Sequence, residues 1–168
     1  MTHDADERTE LLRALAGQRE TFLITLRGVT DDRARERTTV SELTLGGLVN
    51  HLTHGERNWT HIMTSGDGST PESMWDMDQY AMPEGATLDG LVAAYRDAAR
   101  ATDAAVAALP DLDVTVPLPE APWAPGDVQH WSARRILLHL LRELAQHAGH
   151  ADILREALDG ANTTAQLG

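Results

Sequence analysis

The chain contains no cysteine and no lysine among its 168 residues. Without cysteine it cannot form a disulfide, bind a metal through thiolates or use a cysteine nucleophile, so any thiol chemistry requires a thiol carried by another molecule. Without lysine, all 14 strongly basic residues are arginine. This arginine-only pattern, together with the abundance of alanine, is typical of proteins from GC-rich genomes.

Long apolar runs are also missing. No run approaches the roughly 20 residues that a membrane-spanning helix needs, and the acidic N-terminus, "MTHDADERTELL", lacks the apolar core of a signal peptide. The formal net charge of -12 disfavours binding to nucleic acid or to anionic lipid, because both need clustered cations. These absences predict a cytoplasmic protein without a membrane or nucleic-acid partner.

Helical periodicity dominates what is present. Apolar residues recur at spacings of three and four in four segments, 6–28, 44–64, 88–109 and 132–160. Long loops at 65–86 and 110–131 connect them, with "VTVPL" at 114–118 as a candidate short strand, and residues 161–168 are predicted to form a frayed tail. The sequence therefore predicts a single all-α domain over residues 1–168, a four-helix bundle with long connecting loops.

Several residues mark the ends and close approaches of these helices. Thr44 and Ser132 are predicted N-caps, and Gly160 is a predicted C-terminal stop. Three glycines inside the helices are expected to allow the close approach of another helix or a local bend, namely Gly46, Gly47 and Gly149.

The last predicted helix carries a file of polar side chains. In "LLHLLRELAQHAGHADILREALDG" (137–160), His139, Glu143, His147 and His150 follow one another at gaps of four, four and three. Residues three or four apart share one face of a helix, and the neighbouring leucines place this face on or beside the bundle interior. A buried carboxylate is costly unless it is paired or coordinates a metal, so Glu143 needs a partner.

A metal site would need a ligand from a second helix. One straight helix offers an ion two ligands at i and i+4, whereas a third at i+8 lies about 12 Å further along the axis than the first. The 44–64 helix carries His51, His54 and His61. His51 shares its face with leucines and is predicted to point inward, whereas His54 is predicted to point toward water.

The better candidate metal set is therefore His51, Glu143 and His147. Two imidazoles and one carboxylate with an open fourth position are typical of catalytic zinc, although the set also suits other divalent ions. His139 or His150 could orient Glu143 or a bound water.

Other interpretations of the same residues stay open. A glutamate–histidine pair at i,i+4 is more often a surface pair, and an inward histidine is more often a hydrogen-bonded core residue. The bundle could therefore be purely structural, or could bind a metal and a ligand without turnover.

Trp75 and Trp123, on the two long loops, are candidate pocket walls. Arg57 and Arg142 could meet a carboxylate of the thiol or the substrate, but solvation at the surface explains both more simply.

Two segments, "LTLGGLVNHLTHGERNW" (43–59) and "LLHLLRELAQHAGHADILRE" (137–156), resemble the DinB-like metalloenzyme superfamily. The closer similarity is to its mycothiol-dependent branch, which includes mycothiol S-transferases and the N-terminal domain of maleylpyruvate isomerase. The resemblance covers nearly the whole chain. It implies a DinB/YfiT-like four-helix bundle that binds a divalent metal, usually zinc, through His51, Glu143 and His147. Many superfamily members have histidine where this chain has Glu143, whereas the mycothiol isomerase branch has glutamate, as here.

The same resemblance implies a thiol-transfer reaction. Mycothiol would serve as the thiol cosubstrate, because coordination to a metal deprotonates a thiol whose ordinary pKa is about 8.5. The thiolate would attack an electrophile or xenobiotic beneath the loops 65–86 and 110–131. The isomerase carries a further C-terminal domain, and this chain stops soon after its last predicted helix, so we expect a transferase and keep a mycothiol-dependent isomerase as the alternative. Members of the family often pair, which allows a homodimer.

Overall fold

Helices make up most of the described chain. The structure, a computed structural model, describes residues 2–122 and 126–167, except for the side chains of residues 2–6. The helices are α1 (Thr2–Ile24), α2 (Asp31–Ala34), α3 (Leu45–Ser65), α4 (Leu88–Ala108), α5 (Ala133–Asp159) and α6 (Thr163–Gln166), with a 3-10 helix at Met77–Tyr80. Strands β1 (Thr115–Pro117) and β2 (His130–Ser132) pair antiparallel, with Val116 opposite Trp131.

Side-chain caps explain where the long helices begin and end. Thr44, Thr87 and Ser132 each accept a hydrogen bond from a backbone N–H three residues on, at 3.0, 3.1 and 3.2 Å. Each bond satisfies one of the free donors at a helix N-terminus. Gly66 and Gly160 follow α3 and α5 with positive φ angles of 63° and 78°, a conformation that favours glycine. The caps predicted at Thr44, Ser132 and Gly160 are therefore confirmed.

The four long helices form the bundle. α3 packs against both α4 and α5, and α1 packs mainly against α5. Two groups of buried apolar side chains fill the interior. The first includes Phe22, Leu48, Tyr95 and Leu144, and the second includes Leu15, Ile62, Val106 and Ile136. Burial of such side chains is the dominant favourable contribution to folding. The predicted all-α four-helix bundle is confirmed.

A buried polar cluster lies between the two apolar groups along the helices. This mid-bundle network consists of Arg19, Glu56, Thr102 and Asp103. The Arg19 guanidinium donates to both carboxylate oxygens of Glu56, at 2.7 and 3.0 Å, and to Asp103 at 2.8 Å. The Thr102 hydroxyl also donates to Glu56, at 2.5 Å. The network thus joins α1, α3 and α4 through hydrogen bonds to both carboxylate oxygens of Glu56.

The ends of the chain differ from the prediction. The first helix was expected at 6–28, but α1 starts at Thr2 and ends at Ile24, because the backbone then forms turns up to Gly28, whose φ is 70°. The segment expected to fray contains α6. Both the backbone N–H and the hydroxyl of Thr163 donate to Asp152, at 2.7 and 2.8 Å, and this docks α6 on α5.

The strand expected within 114–118 is confirmed as β1, whereas its partner β2 falls in a segment predicted as loop. Within the described part of the chain, we find no helix that combines the length and the apolar character needed to cross a bilayer.

Candidate metal site and adjoining cavity

The three predicted ligands come together between α3 and α5. His51 on α3 and the pair Glu143 and His147 on α5 each offer one ligand atom, and these atoms all lie within 4.8 Å of one another. The Nε2 atom of His147 is 3.9 Å from Oε2 of Glu143. The i,i+4 spacing places the two α5 side chains on adjacent turns. Packing of α3 against α5 then brings in the third ligand.

Gln79 holds the His51 ring in a defined tautomer. The amide nitrogen of Gln79 donates to the Met74 carbonyl at 3.3 Å, so its amide oxygen faces Nδ1 of His51, 3.1 Å away. Because an amide oxygen can only accept, Nδ1 carries the proton and Nε2 keeps its lone pair. The Tyr80 ring stacks on the imidazole with ring centroids 4.3 Å apart. Support of this kind is typical of metal-binding histidines.

Two glycines allow the segment that carries Gln79 to lie against α3. A Cβ at Gly47 would stand 2.2 Å from the Tyr80 carbonyl oxygen, and Gly46 is crowded in the same way. The Asn50 side chain donates to two carbonyls of this segment, at 3.2 and 3.0 Å. A close approach at Gly46 and Gly47 is present, but the partner of Gly47 is the Tyr80 backbone and the nearest partner of Gly46 is the Met82 side chain, where the sequence predicted a helix. A close approach at Gly149 is not found, since no described atom lies within 4 Å of a Cβ built there.

Charge and burial set the protonation states of the ligands. Burial raises the pKa of Glu143, but the hydrogen bond from Arg142 and the neighbouring charges lower it by more, so the carboxylate is ionised. Arg142 donates to Oε1 at 2.8 Å, while Oε2 faces His147. Burial lowers the pKa of His51. The pKa of His147 falls to about 4, because the residue is buried and because His51 lies close to it. Both imidazoles are therefore neutral at neutral pH.

The two predicted supporting histidines lie next to the ligands. The Nδ1 atoms of His147 and His150 are 3.3 Å apart. When Nδ1 of His147 carries the proton, it donates to His150 and leaves Nε2 with a free lone pair. His139 packs edge-on against Trp59, with ring centroids 4.4 Å apart, and lies 2.9 Å from a guanidinium nitrogen of Arg142.

The remaining histidines of α3 stay outside the ligand set. His54 is half-buried, and its Nδ1 is 3.0 Å from the Ser73 hydroxyl, so it points less to water than predicted. His61 is exposed beside Ser69, at 3.3 Å. Arg57 is exposed as well.

The donor set fits a divalent cation. Two neutral imidazoles and one ionised carboxylate offer ligand atoms within 4.8 Å of one another, and groups of these kinds can bind one ion together. They gain little from each other, because none of them has a proton to donate between the ring nitrogens and Oε2.

A cavity of about 160 Å³, called here the inner cavity, adjoins the ligands. It is lined by His51, Leu52, Gly55, Glu56, Asn58, Trp59, Met74, Trp75, Gln79, Tyr80, Tyr95, His139, Leu140, Glu143 and Leu144. The prediction that Trp75 forms a pocket wall is confirmed. Trp123, the other predicted wall, lies outside the described residues.

The chain is similar to a known protein family over most of its length. The model of the family described as mycothiol-S-transferase matches residues 10–160, which include α3 and α5 with all three candidate ligands. The chain belongs to the mycothiol-S-transferase family. No curated protein matches it. The match confirms the relationship to the mycothiol-S-transferase family that was inferred from the sequence, and the matched residues cover most of the bundle.

Sequence reasoning missed Gln79 and the stacking role of Tyr80. Both come from a loop whose residues show no periodicity. The adjacent glycines Gly46 and Gly47 were the available signal, because a glycine pair one turn before His51 implies that something lies close to that face of α3.

Proposed function

We propose that this protein is a metal-dependent thiol S-transferase that joins mycothiol to an electrophilic or xenobiotic substrate. In this proposal His51, Glu143 and His147 hold a divalent ion, with zinc as the expected metal. The observation that carries the proposal is the approach of the three ligand atoms to within 4.8 Å beside a cavity. An ion bound there would deprotonate a coordinated thiol at neutral pH.

The side chains around the ligands have separate tasks in this proposal. Gln79 keeps the lone pair of His51 Nε2 available, as its hydrogen bond at 3.1 Å to Nδ1 requires. Arg142 binds one oxygen of Glu143 and leaves the other for the metal. The indoles of Trp59 and Trp75 line the inner cavity and exclude water from the reacting sulfur, which strengthens electrostatic interactions there.

Metal content is the first test. Mass spectrometry of the purified protein is expected to find about one divalent ion per chain. His51→Ala and Glu143→Ala should both lose it, because each removes a ligand from a different helix. His61→Ala, an exposed histidine on α3, is the matched control and should keep the ion. No metal after loading, or metal retained in both ligand variants, would refute the site.

Thiol conjugation is the second test. The metal-loaded protein is assayed with a panel of electrophiles, with mycothiol compared against glutathione, and faster turnover with mycothiol is expected. Retention of metal without thiol-dependent turnover would instead indicate a metal- and ligand-binding bundle. Isomerisation of an unsaturated acid without stable conjugate would indicate the mycothiol-dependent isomerase.

Some predictions accompany this function. We expect the protein to act in the cytoplasm of a bacterium that makes mycothiol, as one domain over residues 1–168, and a homodimer is compatible with it. Cell fractionation tests the cytoplasmic location, and light scattering tests the homodimer.

A further inference from the structure

A second, larger cavity opens beside the inner one. This outer cavity has a volume of about 330 Å³ and shares three residues with the inner cavity, namely Trp59, Met74 and Trp75. Its other described lining residues are Leu118, Pro119, Glu120, Ala121, Gly126, Asp127, Val128 and Gln129. Because the two cavities share walls, a molecule in the outer cavity lies next to the space beside the metal ligands.

The shared wall is flat, aromatic and held in place. The Trp59 indole stacks on Trp131 with ring centroids 5.2 Å apart and an angle of 4° between the planes. His139 packs against the edges of both indoles, with centroid distances of 4.4 and 5.5 Å. The same cavity is also lined by apolar side chains, including Val128, which is 60% exposed. Such a slot suits a flat apolar ring, which gains from offset stacking as well as from burial.

The charges around the outer cavity have one sign. Among its described lining residues the ionisable ones are Glu120 and Asp127, both exposed. The described lining of the inner cavity adds Glu56 and Glu143, but these two carboxylates are paired with Arg19 and Arg142, so the charge that a ligand in the outer cavity meets comes from Glu120 and Asp127. A bound carboxylate or phosphate would therefore face like charges without a guanidinium among the described lining residues to neutralise it.

We infer that the outer cavity binds the electrophile of the transfer reaction and selects a flat, apolar molecule that is neutral or cationic over an anionic one. This inference rests on the proposed function, because it assigns the second substrate of that reaction. The inner cavity, with its polar side chains, is left for the thiol-bearing end of the cosubstrate.

A chloronitrobenzene illustrates the reaction. The sulfur of the thiolate forms a bond to the ring carbon that carries chlorine, the carbon–chlorine bond breaks, and chloride leaves with the bonding electron pair. The thiol proton passes to solvent, and nothing is oxidised or reduced. The ring must stack next to the metal ligands for this attack, as the shared indole wall permits.

The test uses two unreactive probes that differ by one carboxylate, 1,3-dinitrobenzene and 3,5-dinitrobenzoate. Isothermal titration calorimetry on the full chain is expected to show at least tenfold tighter binding of the neutral probe. The double variant Glu120→Lys/Asp127→Lys should reduce this ratio about tenfold, because it converts two like charges into two opposite ones near the ligand. Glu36→Lys/Glu84→Lys, two exposed acids outside the cavity lining, makes the same net-charge change and should leave the ratio unaltered.

A kinetic arm uses 1-chloro-2,6-dinitrobenzene and 4-chloro-3,5-dinitrobenzoate, which also differ by one carboxylate. The ratio of their kcat/KM values should follow the binding ratio, while the KM for mycothiol stays the same in Glu120→Lys/Asp127→Lys. Equal binding of both probes, an equal change in the control variant, or a change confined to the KM for mycothiol would overturn the inference. Absence of any thiol-dependent turnover would overturn the proposed function instead, and the calorimetric ratio would still decide whether the cavity selects by charge.

Discussion

The mid-bundle network and the metal set both place charge against α3, but they are built from opposite kinds of groups. In the network a donor faces each acceptor, since the Arg19 guanidinium and a threonine hydroxyl bond both oxygens of Glu56. In the metal set, His51, Glu143 and His147 each offer one candidate ligand atom, and these atoms lie within 4.8 Å of one another. The network is complete without a ligand, whereas the proposed cation would supply the positive charge that the metal set itself does not contain.

The pKa values follow the same division. Burial lowers the pKa of Arg19, but Glu56 and Asp103 more than compensate, so the net shift is upward. Burial also lowers the pKa of His51 and His147, and the nearby carboxylate does not restore it. A buried polar residue is therefore structural where its neighbours complement it, and indicates a ligand site where they do not.

The largest expected effect comes from breaking the network. Glu56→Leu removes the buried carboxylate that binds two nitrogens of the Arg19 guanidinium and leaves this buried charge with the half-exposed Asp103 as its carboxylate partner. It should lower the free energy of unfolding by about 3–5 kcal/mol. Urea denaturation measures this loss. The double variant Arg19→Met/Glu56→Leu should recover most of it, and equal loss in the single and double variants would show that the pair itself is not the cause.

The metal set should respond in the reverse manner. In metal-free protein, Glu143→Gln should change the free energy of unfolding by less than about 1 kcal/mol, since the carboxylate is partly exposed and its pair with Arg142 is a surface contact. With zinc at about 100 times its Kd, wild type should gain about 2.7 kcal/mol and the variant nothing. Unfolding with zinc and with a chelator measures both numbers. A large loss in the chelated variant would place Glu143 among structural residues.

Gln79 sharpens the comparison, because it supports one ligand without touching the network. Gln79→Leu removes the acceptor that holds the His51 tautomer and should weaken metal binding by about 10–100-fold. Competition with a colorimetric chelator measures the affinity. The control is Ser73→Ala, a change in the same loop that removes a hydrogen bond to His54 on α3. It should leave the metal affinity within twofold. A similar loss of metal affinity in both variants would indicate that any disturbance of this loop weakens binding, and not the loss of the Gln79 acceptor.

The smallest effects on metal affinity come from the glycines. Gly47→Ala forces the Tyr80 carbonyl away, because a Cβ would lie 2.2 Å from its oxygen. It should cost about 1–3 kcal/mol of stability and lower metal affinity a few-fold through the displaced loop. Gly149→Ala meets open space on α5 and should stabilise by about 0.5–1 kcal/mol without altering metal affinity. Thermal unfolding and the chelator assay compare them; a stabilising Gly47→Ala would contradict the close packing.

Local signals predicted the fold well. Thr44, Ser132 and Gly160 marked helix ends correctly because capping depends on residues within one turn. The end of α1 at Ile24 and the docking of α6 were missed. The first helix stops within a sequence that could continue it, and α6 is held by Asp152 on another helix, so neither feature is encoded in the local sequence alone.

The candidate site divides in the same way. The sequence by itself determined that Glu143 and His147 share a face, since helical geometry relates residues four apart, and that His51 was the inward choice on α3. Only the tertiary structure decided that Gln79 and Tyr80 would hold His51 and that the indoles of Trp59 and Trp75 would line both cavities. Those contacts join segments far apart in the chain, and their geometry depends on how whole helices and loops pack, which no local pattern contains.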